Sequence, residues 1–325
     1  MKKTFLQFFA VVLLLITIIA CNNDTPVTGI TLEPATLTLE VDQTATLTVT
    51  VHPNNATNTA VRWASSNLDI ATVANGTVRA IAVGTVTITV TTEDGNFAAE
   101  CTIAIIPAGP SVVINGIRWA TRNLAAHGVF VENPENHGAL FQWGRKGDGH
   151  EQRTSPSYPN NTSGDGVVSG SENFDTNGQI VNTHTAYGKF IKQMHPPYDW
   201  RSPQDGTLWN SGSEDAPIKT INDPCPNGWR LPTRTELATL GSGRWTNTPV
   251  AGRCFGSGDS TLFLPAAGFR DSNYGGFFYE GRDGYYWSSN IYETGGYYLY
   301  FASFGLFSGS SSRASGFSVR CVAEQ

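Results

Sequence analysis

Residues 285–304 read Tyr-Tyr-Trp-Ser-Ser-Asn-Ile-Tyr-Glu-Thr-Gly-Gly-Tyr-Tyr-Leu-Tyr-Phe-Ala-Ser-Phe, and residues 316–322 read Gly-Phe-Ser-Val-Arg-Cys-Val. The longer stretch is rich in aromatic residues, and Glu293 is its one charged residue. Its side chains alternate as they do in a β-strand that has two different faces. If Leu299 and Phe301 face the core, the residues that alternate with them face outward.

The predicted ligand-binding residues are taken from the outward positions of this stretch and from the small-residue run that follows it. Exposed Tyr and Phe beside Ser and Gly combine rigid aromatic area with adaptable polar groups, a composition typical of recognition surfaces. The alternative is that these aromatic residues pack beneath the loop-rich region 127–224. The predicted ligand-binding residues are Asn290, Tyr292, Tyr298, Tyr300, Ala302, Phe304, Phe307, Ser310, Ser312 and Arg313.

The bulk composition indicates a β-rich extracellular protein. The chain has 325 residues, 34 of them Gly, with 15% charged residues and a formal net charge of −6. Many small and β-branched residues with few charges favour strands and turns over helices. The basic residues are not clustered, which argues against a nucleic acid partner.

Residues 1–20 have the pattern of a secretory leader, with two lysines followed by an apolar run. Ile18-Ile19-Ala20-Cys21 resembles a bacterial lipobox, which implies cleavage before Cys21 and lipid attachment to that residue. The alternatives are a transmembrane anchor, for which the run is short, or a plain leader with an incidental cysteine. With residues 21–27 as a lipidated stem, we expect an outer-membrane lipoprotein on the cell surface of a Gram-negative bacterium.

Residues 28–106 show period-two alternation of Thr with Val, Ile and Leu, broken by turn signals such as Asn75-Gly76. This pattern predicts an all-β immunoglobulin-like sandwich. Val61-Arg62-Trp63-Ala64-Ser65-Ser66 and Gly84-Thr85-Val86-Thr87-Ile88 resemble the bacterial immunoglobulin-like BIG family, group 2. The resemblance implies a spacer, and residues 107–110 are expected to be a short linker to the rest of the chain.

Residues 111–325 hold all 11 Tyr and seven of the eight Trp. Thr233 followed by Glu236 predicts a capping box at a helix start, and residues 185–194 could form a second short helix. The motifs at 223–233, 264–270, 286–289 and 316–322 resemble the family named for the major paralogous domain of Fibrobacter succinogenes. The resemblance implies an α+β, C-type lectin-like domain with long loops.

The mature chain has four cysteines besides Cys21, which allow three pairings if all four pair. The fold resemblance implies a disulfide between Cys225 and Cys321. Cys254 and Cys101 would then stay free, and the alternative puts Cys254 in the pair in place of Cys225.

We expect no metal and no cofactor. The acidic residues are scattered, the calcium motifs of sugar-binding C-type lectins are missing, and the histidines lack zinc-ligand spacing. The Leu-Pro-Thr-x-x-Glu start at 231–236 is distantly similar to formylglycine-generating enzymes, which oxidise cysteine with a close thiol pair and copper. Since Cys225 and Cys321 occupy structural positions in the resemblance, we expect no enzyme.

The sequence therefore predicts a lipid-anchored surface protein in adhesion or ligand capture, with an extracellular glycan or protein as its ligand. The closing motifs also resemble targets of diversity-generating retroelements, which implies that the outward positions vary between strains while the scaffold is kept. The alternative function is a structural or assembly component of a surface appendage.

Overall fold

The computed structural model describes residues 24–160, 164–196, 198–258 and 260–324. The predicted leader and the predicted lipidation site Cys21 lie outside these residues. Within the described residues, no helix has the length and apolar character needed to cross a membrane.

The N-terminal part is built from nine strands that pair only with one another. β2, β9, β8 and β5 form a four-stranded sheet in that order, in which β2 is parallel to β9. β1 pairs with β4, and β3, β7 and β6 form a third sheet. The strands are β1 Gly29–Glu33, β2 Thr36–Glu40, β3 Thr44–Thr46, β4 Thr48–His52, β5 Val61–Ser65, β6 Ala71–Ala74, β7 Thr77–Ala80, β8 Gly84–Thr92 and β9 Ala98–Ile106.

The alternation of the sequence decides which side chains enter the core of this part. Val86, Ile88 and Val90 are at most 1% exposed, and Trp63 packs partly buried against the same cluster. Cys101 lies in the cluster as a free, buried thiol, as its place in the apolar register predicts. These strands therefore form a sandwich with one apolar interior.

The C-terminal part contains nineteen further strands in the described residues, most of them very short. The longest are β11 Ile117–Ala126, β24 Asp283–Tyr292, β25 Gly295–Ala302 and β26 Gly305–Ser311. The others are β10 Ser111–Ile114, β12 Val129–Phe130, β13 Phe141–Gln142, β14 Ser157–Tyr158, β15 Val168–Ser169, β16 Phe190–Ile191, β17 Arg201–Ser202, β18 Trp229–Arg230, β19 Arg244–Thr246, β20 Gly252–Ser257, β21 Ser260–Pro265, β22 Phe269–Arg270, β23 Phe277–Phe278, β27 Gly316–Phe317 and β28 Arg320–Ala323.

The predicted α+β class of the C-terminal part is wrong. The described residues contain one α-helix, α1 Arg234–Ala238, and one 3-10 turn, Ser171–Asn173, so the part is nearly all β. The second predicted helix, at 185–194, is replaced by β16, whose Phe190 and Ile191 pair in parallel with β14. Backbone groups that a helix would satisfy locally are here satisfied by distant short strands.

Four sheets carry the C-terminal core. β10, β11, β28 and β18 form one sheet, β13, β27, β22 and β23 a second, β19, β20 and β21 a third, and β24, β25 and β26 a fourth. β10 and β11 are joined by Asn115-Gly116, both at positive φ (50° and 83°), the backbone that a two-residue hairpin requires. β11 and β28 then pair across nearly the whole C-terminal part, with Asn123 opposite Arg320.

Two predicted local features are confirmed. The Thr233 hydroxyl accepts a hydrogen bond from the backbone N–H of Glu236, and the Glu236 carboxylate accepts one from the backbone N–H of Thr233. The helix α1 therefore begins with a capping box. Cys225 and Cys321 form a disulfide with their Cα atoms 6.0 Å apart, and Cys254 is free. The disulfide fastens the segment before β18 to β28.

A candidate ligand-binding surface

β25 presents two different faces, as its alternation predicts. Leu299 and Phe301 are 2% and 0% exposed and pack with Tyr286 in the core shared with α1 and β21. Tyr298 and Tyr300 lie on the opposite face and are half-buried. Tyr298 is covered by Phe317, at a ring distance of 5.0 Å, and by Trp287. The outward face is therefore covered near Tyr298 and opens toward β26.

Seven rings on this opposite face touch in an unbroken series, which we call the aromatic strip. Phe304 contacts Phe307 at 6.0 Å, Phe307 contacts Tyr300 at 5.8 Å, and Tyr300 contacts Tyr285 at 5.0 Å between ring centroids. The series continues through Phe269 to its end at β23 and the following turn. The aromatic strip consists of Phe304, Phe307, Tyr300, Tyr285, Phe269, Phe278 and Tyr279.

The strip is exposed at both ends and half-buried in the middle. Phe304 is 75% and Phe307 50% exposed at one end, and Phe278 and Tyr279 are 43% and 44% exposed at the other. Isolated exposed apolar residues are ordinary on a protein surface, whereas a contiguous patch indicates an interaction site. The strip is thus a candidate site because its exposed rings are joined.

Two sheets meet under the strip, and backbone bonds fix their junction. Gly268 lies in a parallel bridge with Gly284, and the N–H of Gly268 donates to the carbonyl of Asp283 at 2.9 Å. The N–H of Ser318 donates to the carbonyl of Tyr285 at 3.0 Å. These bonds hold β22 beside β24, so Phe269 can reach Tyr285.

A carboxylate lies beside the centre of the strip. The hydroxyl of Tyr300 donates to Oδ2 of Asp283 at 3.4 Å, and Asp283 is only 8% exposed. Burial raises the pKa of the Asp283 carboxyl, and burial together with the charge of Asp283 raises the pKa of the Tyr285 and Tyr300 phenols. Both phenols therefore stay protonated at neutral pH, and the oxygen of the Tyr300 hydroxyl, whose proton is donated to Asp283, can accept a hydrogen bond from a ligand.

Tyr279 has an unusual backbone conformation. Its φ is 57°, in the left-handed region that side chains other than Gly, Asn and Asp rarely adopt. Its carbonyl accepts the N–H groups of Arg282 and Asp283, and the Arg282 guanidinium lies 5.1 Å from its ring centre. The surrounding turn holds this ring at the exposed end of the strip.

The predicted ligand-binding residues divide into an exposed group, a half-buried group and a buried group. Tyr292, Phe304, Phe307 and Ser310 are exposed, and Asn290, Tyr298, Tyr300 and Ser312 are half-buried. Two of the half-buried residues have structural partners, since Asn290 accepts the N–H of Arg234 and Ser312 donates to the carbonyl of Tyr198. Tyr300, Phe304 and Phe307 are the three that meet in the strip.

The prediction that Ala302 and Arg313 face outward is wrong. Ala302 is 2% exposed and lies opposite Asp283, the first residue of β24. Its carbonyl accepts a hydrogen bond from Nη2 of Arg253 at 2.7 Å. Arg313 is 3% exposed, 4.9 Å above the Trp143 ring and 3.5 Å from Asp199. Arg313 therefore belongs to the scaffold.

Sequence reasoning missed four residues of the strip. Phe269 lies in the family motif at 264–270, and Tyr285, Phe278 and Tyr279 are not among the predicted ligand-binding residues. A signal was present, because Phe277-Phe278-Tyr279 is a run of three aromatic residues between two glycines and Glu280-Gly281. Because successive residues of a strand point to opposite faces, a run of three aromatic residues places at least one of them on an outward face.

Asp148, His150 and Glu151 are the one group in the described residues with metal-ligand spacing. Nδ1 of His150 lies 2.7 Å from Asp148, and its Nε2 accepts the N–H of Gln142 at 3.2 Å. Arg145 also donates to Asp148 at 2.6 Å. A cation would have to displace these partners, so the donor set fits a buried hydrogen-bonded cluster better than a metal site.

The match to a known family lies in the N-terminal part. Residues 26–103 match the family model of the bacterial Ig-like domain (group 2). An uncharacterized protein of Clostridium acetobutylicum is 46% identical over 101 residues, which are 30% of this chain and 10% of that protein. An Ig-like virion protein of Serratia phage KSP90 is 44% identical over 81 residues, 24% of this chain and 31% of that protein.

The chain covers between 10% and 31% of the length of these and three further curated relatives. Among solved structures, domains 4 and 5 of the S-layer protein SbsC match with 22% identity and a TM-score of 0.22, over 26% of this chain and 54% of that chain. A TM-score this low does not establish a shared overall fold. Because residues 26–103 match the family model, they are a bacterial Ig-like domain of group 2.

Proposed function

We propose that this protein is a lipid-anchored surface protein that captures an extracellular macromolecule through the aromatic strip. In this proposal, lipid on Cys21 anchors the chain, the Ig-like domain is the spacer, and the C-terminal part is the binding head. The lipobox at residues 18–21 supports the anchor. The two-faced sheet that carries the strip supports the binding role.

The single observation that carries the proposal is the continuity of the strip. The strip consists of seven rings in contact, and four of them are at least 43% exposed. Removing this apolar surface from water on binding is favourable. Tyr300 and Tyr285 add protonated hydroxyls, and Asp283 adds an acceptor beside them. Aromatic residues with adaptable polar neighbours are the usual energetic centre of a binding surface.

A second candidate function is a structural component of a surface assembly. The observation in its favour is the likeness of the Ig-like domain to a virion protein of Serratia phage KSP90. In that function the strip would pack against another subunit. The thiol-pair enzyme has less support, because Cys225 is bonded to Cys321. Of the free thiols in the described residues, Cys101 lies in the core of the Ig-like domain and the half-buried Cys254 lies on β20 of the C-terminal part.

The proposal can be tested with the mature full-length chain on arrays of extracellular glycans and proteins. Saturable binding to at least one probe is expected. The double substitution Tyr300→Ala and Phe307→Ala should lower the affinity by about thirtyfold, since central aromatic contacts cost about 2 kcal/mol or more.

Leu68→Ala is the matched control, because Leu68 is an apolar residue of the Ig-like domain that is 65% exposed. Equal binding by the double variant and the wild type would overturn the proposal. No binding to any probe, combined with incorporation of the protein into filaments, would support the assembly function instead.

A further inference from the structure

A second concave site lies away from the aromatic strip. A cavity of about 580 Å³ separates the loop 170–178 from the segment 201–222. This volume lies within the range of small-molecule pockets. None of its lining residues belongs to the strip, so a ligand here would not compete directly for the strip's rings.

Stacked side chains form one wall of the cavity. The guanidinium of Arg201 lies 4.6 Å from the ring centre of Phe174 and 5.9 Å from that of Trp200. Nη1 of Arg201 donates to Oδ2 of Asp205 at 3.2 Å, and Oδ1 of Asp205 accepts the Thr207 hydroxyl at 2.7 Å. Arg201, only 8% exposed, is therefore held in one orientation.

Two buried polar atoms of the residues that line the cavity lack hydrogen-bond partners. Oδ1 of Asn222 and Nε of Arg201 have no hydrogen-bond partner in the part of the chain that the structure describes. Asn222 is 4% exposed, and its Nδ2 donates to the carbonyl of Asn177 at 2.8 Å. Since buried polar atoms in native proteins are usually paired, an acceptor and a donor without partners on two residues that line one cavity point to a ligand.

The charges and the apolar surface limit the class of that ligand. Asp175 and Asp205 oppose an anion, and the buried guanidinium of Arg201 opposes a cation. Phe174, Leu208 and Ile221 provide apolar contact, while Thr207 and Asn222 provide hydrogen-bonding groups. A neutral ring that has C–H faces and several hydroxyl groups satisfies both requirements, because a hydroxyl can donate to Asn222 and accept from Arg201.

We propose that the cavity between the loop 170–178 and the segment 201–222 binds a neutral saccharide unit. The site is independent of the proposed macromolecular surface. Phe174 contacts the sugar ring, and Arg201, Thr207 and Asn222 bind its hydroxyl groups.

The test uses the full mature chain and saturation-transfer NMR followed by calorimetry. The neutral probes are D-galactose, D-xylose, L-arabinose and N-acetyl-D-glucosamine, with D-galacturonate and D-galactosamine as charged comparators. At least one neutral sugar should bind saturably, and more tightly than either charged comparator.

Phe174→Ala should lower that affinity by about tenfold. Thr207→Val, which keeps the shape and removes the hydroxyl, should lower it by about three- to tenfold. Phe97→Ala in the Ig-like domain is the matched control, because Phe97 is an exposed aromatic residue outside both proposed sites, and this variant should bind the sugar like the wild type.

Three results would overturn the proposal. They are the absence of binding by all four neutral sugars, tighter binding of a charged comparator, and unchanged affinity in Thr207→Val. Because Phe174→Ala could perturb the loop, the amide NMR spectra of both variants establish that each is folded before affinities are compared.

Discussion

Arg320 donates two hydrogen bonds to a single atom, Oδ1 of Asn123, from Nε at 3.0 Å and Nη2 at 2.8 Å. Both residues are at most 1% exposed, and Nη1 of Arg320 donates to the carbonyl of Ala120. Burial lowers the pKa of the Arg320 guanidinium to about 10. An interior cation that is solvated by an amide and a carbonyl depends on each of those acceptors.

Asn123→Ala should therefore strongly destabilise the C-terminal part. The substitution removes the acceptor of two charge-assisted bonds and leaves Arg320 buried beside a small cavity, at a cost of about 3 kcal/mol. Urea unfolding followed by Trp fluorescence measures this loss. A free energy of unfolding within about 0.5 kcal/mol of the wild type, the range of neutral surface changes, would contradict the assigned role.

The Cys225–Cys321 disulfide closes a loop with a sequence separation of 96 residues. Replacing both cysteines with Ser should lower the free energy of unfolding by about 4 kcal/mol, chiefly because the unfolded chain gains freedom. Calorimetry of the double variant measures the change. Cys254→Ser is the control, because that thiol is free and half-buried, and it should cost much less. Comparable losses in the two variants would argue against the entropic origin.

The pH dependence of stability should carry a contribution from Asp223. Burial raises the pKa of its carboxyl from 3.8 to about 7, against the opposing effects of Lys219 and of the N–H groups of Leu231 and Cys225. Because the folded state holds this proton more tightly than the unfolded chain, the stabilising contribution is complete below about pH 4. It is lost as the pH rises to about 7.

Asp223→Asn isolates that contribution, because the amide does not titrate. The free energy of unfolding of the wild type, minus that of the variant, should fall steadily between pH 4 and pH 7. Denaturant titrations at several pH values measure the difference. A difference that stays constant or rises over this range would show that the carboxyl is not protonated preferentially in the folded state.

Tyr279→Gly should separate stability from binding. The left-handed backbone at φ 57° costs a non-glycine residue about 1 kcal/mol, and glycine adopts it freely. The variant also loses ring contacts with Phe269 and Phe278. Because this loss offsets the gain from the relaxed backbone, we expect a melting temperature close to that of the wild type. Its affinity for a ligand of the strip should fall by about fivefold, as for a peripheral contact. Wild-type affinity would exclude Tyr279 from the binding surface.

The sequence by itself determined the features that depend on local chemistry. Alternation separated Leu299 and Phe301 from Tyr298 and Tyr300 because successive strand residues point to opposite faces, and the family resemblance favoured the first pair for the core. Thr233 and Glu236 began α1 because a cap is formed by neighbours in the chain. The disulfide between Cys225 and Cys321 followed from a resemblance, since no local pattern specifies a partner 96 residues away.

Only the tertiary structure decided which outward residues form a surface. The aromatic strip joins Phe269 and Phe278 to Tyr300 and Phe307 because a bridge at Gly268 and Gly284 brings two sheets edge to edge. The same packing buries Ala302, which alternation placed on the outward face, and Arg313, which was among the predicted ligand-binding residues. It also replaced the helix expected at 185–194 with the short strand β16, which pairs with the distant β14. Period-two alternation gives the direction of a side chain, whereas burial depends on what the rest of the chain places above it.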